Sequence, residues 1–355
     1  MRWNFLGDQE VKKLLHFHLA MISCIFLGNY GREAVAALST YSPSYVSAGT
    51  VLWSNCAGCI LMGLFQSLNA TSGWFSDYPN LFAALTTGFC GSFSSFSTFM
   101  IEVFEYSSNL TNSNLKHHTK LPNRAYGIME WLSVVIIDIS VSMSGLIFGR
   151  FLGSEIVIKY AEIEEEGFDE EENKTVRTKP HPMVDKVLKV VYYTLILSAI
   201  PYIILIVILA AYYGNYSRGK WTLPPLFGIF GAYCRLYISK WVNPISKKFY
   251  FGTFICNVTA TLLSAIFTLV LRGRKDYHDP LPIIHTKNAC RVVTALMGGF
   301  CGSLSTMSTF SNEAYLLPLG RTLVYYSATV GLAYILIVIT LGSYAWTRGL
   351  TAAYC

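Results

Sequence analysis

Two runs of glycine, hydroxyl and aromatic residues are the part of the sequence best suited to chemistry. Residues 88–99 read GFCGSFSSFSTF and residues 299–310 read GFCGSLSTMSTF, so nine of twelve positions are identical. Each run lies in an apolar segment, where backbone polar groups must find partners or water. Glycine beside hydroxyl residues predicts a broken membrane helix whose exposed backbone binds ions. Close helix packing through small residues is the alternative for either run alone, and the duplication favours ion binding.

Side-chain donors accompany both runs. Asn55 and Asn257 lie within other apolar segments, and each follows a Gly-Thr pair. Their amide N–H groups suit an anion better than a cation, although an isolated membrane asparagine more often bonds a neighbouring helix. Aromatic ring edges carry partial positive charge and can also face an anion. The corresponding positions of the runs are Phe96 and Phe99 in the first copy and Met307 and Phe310 in the second.

Charged residues recur beside these donors. Glu102 and Glu313 each follow the last phenylalanine of a run by three residues. A carboxylate in an anion route must be protonated or paired, so we expect Arg32 and Arg235 to serve as counter-charges or as attractors in the vestibules. Asp138 has no counterpart that can be assigned in the second copy.

Hydroxyl residues in two further apolar segments could extend the row of donors. Bonding of such hydroxyls to the carbonyl one helical turn earlier explains them equally well. The candidates for lining the route are Ser140, Ser144, Ser327 and Thr329.

Nine apolar segments are long enough to hold these residues within a membrane. Of the 355 residues, 53% are hydrophobic and 14% are charged, whereas about 25% of an average soluble chain is charged. About 20 apolar residues cross roughly 30 Å of hydrocarbon, so the sequence predicts an all-α integral membrane protein. The segments run at about 14–37, 47–67, 82–104, 126–153, 190–213, 222–242, 249–271, 292–317 and 321–346.

The order of these segments is four, one and four. GNYGR at residues 28–32 matches GAYCR at residues 231–235, ahead of each glycine-rich run. Because four crossings return the chain to its starting side, a single linking helix turns the second copy over. We therefore predict two inverted-topology four-helix repeats that share a site near the bilayer centre. The predicted divisions are the N-terminal repeat 1–153, an acidic soluble linker 154–189, the linking transmembrane helix 190–213 and the C-terminal repeat 214–355.

Several classes of function are disfavoured. The net charge of +6 comes from Lys and Arg residues that mostly flank apolar segments, without the basic, aromatic-rich stripe of a nucleic-acid-binding protein. Neither H-E-x-x-H nor G-x-S-x-G is present, which argues against an enzyme. The nine cysteines lie mostly in apolar segments and imply no disulfide framework.

At these motifs the chain resembles the Fluc/CrcB fluoride channels, and in particular their fused eukaryotic relatives, the fluoride exporters called FEX. The family elements G-x-x-x-R, G-T-x-x-x-N and G-F-x-G-x-x-T-T-F-S-T-F are all represented, and the resemblance covers both four-helix units. The resemblance implies a fluoride-selective channel in the plasma membrane that confers fluoride resistance by passive electrodiffusion. Fluoride and the lipid bilayer would be its partners, with no organic cofactor. One chain would be equivalent to the antiparallel dimer of the bacterial proteins.

The resemblance also implies roles for individual residues. Asn55 and Asn257 correspond to the pore asparagines, and Phe96, Phe99 and Phe310 to the aromatic box. A structural Na⁺ at the centre would be held by backbone near Ser94, Ser95, Ser305 and Thr306.

Two departures from the family pattern predict one working pore and one degenerate pore. Met307 stands where the pattern has phenylalanine. Gly49 precedes Asn55 by six residues, whereas Gly252 precedes Asn257 by five. The sequence does not indicate which pore conducts.

Two rival functions stay open. A fluoride/proton exchanger could use Glu102 or Glu313 as proton carrier, since inverted repeats are common in transporters. A membrane enzyme or receptor, in which the halves serve only as scaffold, is the other.

Overall fold

The computed structural model describes residues 8–39, 50–110, 121, 123–163, 178–213, 219–275 and 281–355. These residues are almost entirely helical. Two three-residue strands, β1 (Ala161–Ile163) and β2 (Thr178–Pro180), pair antiparallel on either side of residues 164–177. Residues 164–177 of the expected acidic linker 154–189 therefore lie outside the described residues.

The first copy is built from six α-helices. Its third helix is interrupted, because a π-helical segment, Ala84–Cys90, is followed by one short turn and then by a break before the next helix. The helices are α1 (Asp8–Ser39), α2 (Leu52–Ser72), α3 (Pro79–Ala83), α4 (Gly91–Phe93), α5 (Phe96–Ser107) and α6 (Gly127–Tyr160).

A long helix, α7 (Pro182–Tyr213), follows and packs against α1. The second copy then repeats the order of the first, again with a π-helical segment, Leu296–Cys301, ahead of a break. Its helices are α8 (Gly219–Val242), α9 (Phe251–Arg272), α10 (Lys287–Ala295), α11 (Gly302–Leu304), α12 (Met307–Leu316), α13 (Leu319–Ile337) and α14 (Ser343–Arg348).

Five helices of the described chain are long and apolar enough to cross a membrane. Many of their large apolar side chains point outward; Leu197 on α7, for example, is 74% exposed. Lipid surrounds such side chains favourably, because its tails are as apolar as leucine. The chain is thus a multi-pass membrane protein. The five spans are Gln9–Ser39, Gly127–Tyr160, Pro182–Tyr212, Phe251–Arg272 and Leu319–Arg348.

Glycines bring α2 and α6 into backbone contact. A Cβ at Gly149 would lie 1.9 Å from the Ile60 carbonyl oxygen, and one at Gly63 would lie 2.1 Å from the Leu146 carbonyl oxygen. Small residues at a helix crossing allow this close approach in membranes. These two closely packed helices carry Asn55 on α2 and Asp138 on α6.

We expect Gly149→Ala to destabilise the protein by about 2 kcal/mol or more, because the new methyl group can fit only if the two backbones separate. Gly331→Ala is the matched control, since Gly331 also lies mid-helix and a Cβ there meets nothing within 4 Å. Alanine is the better helix former by roughly 0.5–1 kcal/mol, so this control should be neutral or stabilising. Thermal unfolding in detergent measures both, and equal melting temperatures would contradict the expected difference.

Candidate functional site

The two breaks lie at the centre of the molecule and are fully buried. Ser94 and Ser95 are extended, with φ/ψ of −94°/151° and −142°/117°, and Ser305 and Thr306 repeat this at −85°/160° and −156°/130°. The second residue of each pair caps the next helix, because its hydroxyl accepts from the N–H of Thr98 or Thr309. Hydroxyl residues after the glycines therefore stop one helix and start another.

Asn55 and Asn257 hold the two breaks in place. The Asn55 Oδ1 accepts from the Ser95 N–H at 2.9 Å, and the Asn257 Oδ1 accepts from the Thr306 N–H at 2.8 Å. Each Nδ2 also lies near the carbonyl of the same residue, at 3.5 Å and 3.2 Å. The asparagines thus supply the backbone partners that the broken helices lack.

Hydroxyl groups of each half form hydrogen bonds with the other half across the breaks. The Ser94 Oγ accepts from the Ser308 N–H at 3.0 Å, and the Ser305 Oγ accepts from the Ser97 N–H at 3.0 Å. Ser97 and Ser308 in turn donate to carbonyls of the opposite half, at Cys301 and Cys90 respectively. Equivalent residues of the two halves thus make equivalent contacts in both directions.

Arg32 and Arg235 are buried, with 4% and 2% of their surface exposed, and each forms hydrogen bonds to both halves. Arg32 donates to the Ser92 carbonyl of its own half at 2.7 Å and to the Gly298 carbonyl of the other half. Arg235 donates to the Ser303 carbonyl at 2.9 Å and crosses to the Thr87 carbonyl at 2.8 Å. Glycine at 91 and 302 makes room, since a Cβ there would meet a guanidinium within 2.8 Å.

The arginines do not contact Glu102 or Glu313 directly in the described part of the chain. Within the described residues no ion pair joins them, because each carboxylate instead binds the threonine of its Gly-Thr pair. Glu102 accepts from the Thr50 N–H at 2.8 Å and hydroxyl at 2.5 Å. Glu313 accepts from the Thr253 hydroxyl at 2.7 Å. Both glutamates therefore fasten the start of the helix that carries the asparagine.

Arg32 does line a vestibule. A cavity of about 200 Å³ is bounded by Arg32, by the start of α2, by Thr98 and Ile101 of α5, and by Ser264 of α9. The Ser264 hydroxyl is buried and has no hydrogen-bond partner in the described part of the chain. This cavity offers water-accessible volume whose wall holds a cation, Arg32, a carboxylate, Glu33, and the Ser264 hydroxyl.

Aromatic rings of both halves meet beside the breaks. Phe96 lies 5.7 Å from Phe99 and 5.2 Å from Phe310 between ring centroids, both edge-to-face. Phe310 continues the cluster to Tyr325 at 4.8 Å. Met307 is completely buried in the same core. The three predicted phenylalanines are thus brought together.

The assignment of Ser140, Ser144 and Ser327 to a pore wall is corrected. All three are exposed, whereas Asp138, Ser142 and Tyr325 on the same helices are buried. Residues two apart on a helix point about 200° apart, so these serines face away from the core. Thr329 is buried as expected, and its hydroxyl bonds the Tyr325 carbonyl one turn earlier at 2.7 Å.

Several residues at the site escaped the sequence analysis. Tyr325 donates to Glu313 at 2.8 Å, and Asn243 donates to the same carboxylate at 3.0 Å. Asn29 accepts from Arg32 at 2.8 Å. Nothing in the repeat points to Asn243 or Asn29, since neither belongs to a matched motif position, whereas the duplicated Gly-Thr pair did carry a signal for Thr50 and Thr253.

One disulfide joins Cys290 to Cys355, although no disulfide framework was expected. It ties the last residue of the sequence to α10. The other seven cysteines are free, and five of them are buried.

The fold and the site define the class of this protein. It is a duplicated, helical, multi-pass membrane protein in which two broken helices meet at the centre. A family model described as CrcB-like protein, Camphor Resistance (CrcB), matches residues 19–146 and again residues 222–349. The chain therefore belongs to the CrcB-like family, with both copies of the family domain in one polypeptide.

Its relatives are named for fluoride. Fluoride export protein 2 of Saccharomyces cerevisiae is 48% identical over 370 residues, which cover 99% of this chain and 98% of the relative. Fluoride export protein 1 of Candida albicans is 33% identical, over 90% of this chain and 77% of the relative. The fluoride-specific ion channel FluC 1 of Staphylococcus aureus is 35% identical over 97 residues, which cover 26% of this chain and 63% of the relative. No solved structure matches the chain.

Proposed function

We propose that this protein is a fluoride-selective channel that exports fluoride across the plasma membrane and confers fluoride resistance. The observation that carries the proposal is the pair of buried cations. Arg32 and Arg235 lie in the core without a carboxylate in ion-pair contact among the described residues. Buried positive charge favours anions near the centre, and the two asparagine amides and the ring edges add donors. The names of the full-length yeast relatives point to fluoride as the anion.

Passive conduction is sufficient for export. Moving one charge through the membrane potential is worth about 2.3 kcal/mol per 100 mV, so a negative cell interior expels fluoride without a coupled ion. A narrow row of N–H and ring-edge donors replaces the hydration shell of a small anion and excludes larger ones by width.

The topology we propose is nine crossings, with the second repeat inverted by α7 and one chain equivalent to a dimer. The contacts at the breaks support inversion. Ser94 pairs with Ser308 while Ser97 pairs with Ser305, so the two broken helices meet in antiparallel register. The proposed divisions remain 1–153, 154–189, 190–213 and 214–355.

A structural Na⁺ fits the centre of the breaks. The Ser95 and Thr98 N–H groups, which would donate to the Gly91 and Ser94 carbonyls in a continuous helix, donate instead to Asn55 and to the Ser95 hydroxyl. The second half repeats this arrangement. The carbonyls that lose their helical donors are those of Gly91 and Ser94 and, in the second half, Gly302 and Ser305. Such backbone oxygens near Ser94, Ser95, Ser305 and Thr306 suit a hard cation. Bound there, Na⁺ would supply positive charge that holds the breaks together.

Replacement of Na⁺ tests this site without reference to transport. A ligand that binds only the folded state at a hundredfold excess over its Kd stabilises it by about 2.7 kcal/mol. We therefore expect a higher melting temperature in NaCl than in KCl or choline chloride at equal ionic strength. Identical melting curves in the three salts would remove Na⁺ from the proposal.

Fluoride flux from proteoliposomes tests the function. We expect purified protein to carry fluoride and an electrical current with it, and to pass chloride far more slowly. Chloride passing as readily as fluoride would contradict a fluoride-selective channel.

The exchanger is tested in the same assay. Glu102 and Glu313 are held by backbone or hydroxyl donors at the helix starts, which supports an anchoring role over proton carriage. We expect Glu102→Gln and Glu313→Gln to keep an electrogenic flux. Flux without current, or complete loss in both variants, would favour exchange.

The two routes we propose are unequal, one being a working pore and the other a degenerate pore. The first route runs between α2, α6 and α12, and the second between α9, α13 and α5, because in the contacts between the two copies α12 packs against α2 and α6 while α5 packs against α9 and α13. Met307 begins α12, whereas Phe96 and Phe99 lie on α5. The second route thus has the fuller aromatic lining.

A further inference from the structure

Asp138 is a buried carboxylate that the proposed function leaves unexplained. It lies on α6, is completely inaccessible, and has no cationic partner among the described residues. The Asn55 Nδ2 donates to its Oδ1 at 3.1 Å and to its Oδ2 at 3.4 Å. The Ser142 hydroxyl donates to the Oδ1 at 3.4 Å. The Asp138 carboxylate therefore occupies two hydrogen-bond donors that face the first route, the Asn55 amide and the Ser142 hydroxyl.

The second route has a different arrangement. The Asn257 Nδ2 donates to the Thr306 carbonyl at 3.2 Å, and within the described residues no carboxylate binds this amide. Glu313, the acid of that half, is turned to Thr253 and Tyr325 instead. The cavity that Arg32 lines borders helices of both routes, since Ser264 of α9 and Ile101 of α5 line it together with the start of α2.

We propose that Asp138 closes the first route, so that anions pass only along the second; this inference rests on the proposed fluoride channel. An anion approaching Asn55 meets either a negative charge or, if the carboxyl is neutral, an amide that already donates both to Asp138 and to the Ser95 carbonyl. In both cases the first route lacks the donor that would replace water around fluoride. The Asn257 amide donates only to the Thr306 carbonyl among the described residues, which leaves one N–H for an anion. Asp138 thus determines which of the two routes conducts.

Asp138 closes the first route at one point only. Beyond Asp138 the first route still holds a buried hydroxyl, the Ser311 Oγ of α12, which lies beside Cys59 of α2. Removal of the carboxylate should therefore reopen a path whose remaining lining is still polar.

The test uses the full chain in proteoliposomes, with sodium fluoride as the probe. Asn257→Asp closes the second route, and Asp138→Ser is then added to that background. We expect fluoride flux to rise by about tenfold or more over the background, which equals a barrier lowered by about 1.4 kcal/mol. Ser140→Ala is the matched control, because Ser140 is exposed two residues along the same helix, and it should leave the background flux unchanged.

Met307 could still narrow the opened route, so Asp138→Ser with Met307→Phe is the second variant. No rise with either variant, in protein that elutes as wild type does, would overturn the role of Asp138. Loss of flux in Asn55→Asp but not in Asn257→Asp would overturn it too. Wild-type protein that passes no fluoride would instead refute the proposed function, so the two failures are distinguishable.

Discussion

Asn257→Asp is expected to lower fluoride flux about a thousandfold, whereas Asn55→Asp is expected to keep most of it. Two unit charges 4 Å apart repel by about 4 kcal/mol at an effective dielectric constant near 20, and that barrier corresponds to roughly a thousandfold in rate. The new carboxylate stands in the second route in one case and in the closed first route in the other. Initial fluoride efflux from proteoliposomes measures both.

The two asparagine variants are expected to differ in stability. Each side chain accepts from a backbone N–H at a break, from Ser95 or from Thr306, and aspartate keeps that oxygen. Asn55→Asp should nevertheless fold less stably, because its new carboxylate replaces the amide that donates to Asp138 at 3.1 Å, so the flux of each variant is compared per amount of folded protein. Phe99→Ile and Phe310→Ile extend the comparison to the aromatic cluster. Equal losses in every variant would contradict unequal routes.

Arg32→Ala and Arg235→Ala are expected to cause the largest losses of stability. A hydrogen bond to a charged group contributes about 1.5–3 kcal/mol, and unpaired buried acceptors add their own penalty. Arg32 serves the Ser92 carbonyl, the Gly298 carbonyl and the Asn29 Oδ1, so its removal should cost more than about 3 kcal/mol. The loss should also loosen the contact between the halves, since Gly298 belongs to the second copy.

Thermal unfolding in detergent measures this effect, with Arg321→Ala as the control because Arg321 is exposed at the start of α13. Lysine should not rescue either position, since its single ammonium group cannot reach divergent carbonyls as a planar guanidinium does. A melting temperature of Arg32→Ala within a degree or two of the Arg321→Ala value would contradict the tie between the halves.

The class of the protein and its central motif could be predicted from residues alone. Long apolar segments indicate membrane helices because the length that crosses a bilayer is fixed. The breaks at Ser94–Ser95 and Ser305–Thr306 were predicted for a similarly local reason, since glycine and hydroxyl residues favour caps and turns within a few positions of themselves. The duplication of the run, and with it two copies of a family domain, was equally visible.

Which side of a helix faces inward was not predictable in the same way. Ser140, Ser144 and Ser327 were chosen by residue type, yet each lies on an exposed face. A membrane helix that is apolar on all sides gives no periodic signal for its rotation, so packing against other helices decides it. The same packing turned Ser142 and Tyr325 inward.

The sequence by itself determined a duplicated helical membrane protein with a broken helix in each half, because length, hydropathy and local capping act over short stretches of chain. The tertiary structure alone decided the partners of the charges. Arg32 reaches the Gly298 carbonyl across 266 positions, and Asn55 meets Asp138 across 83. Such pairings depend on how helices cross, and a buried charge takes the partner that folding brings within about 3 Å rather than the one nearest in sequence.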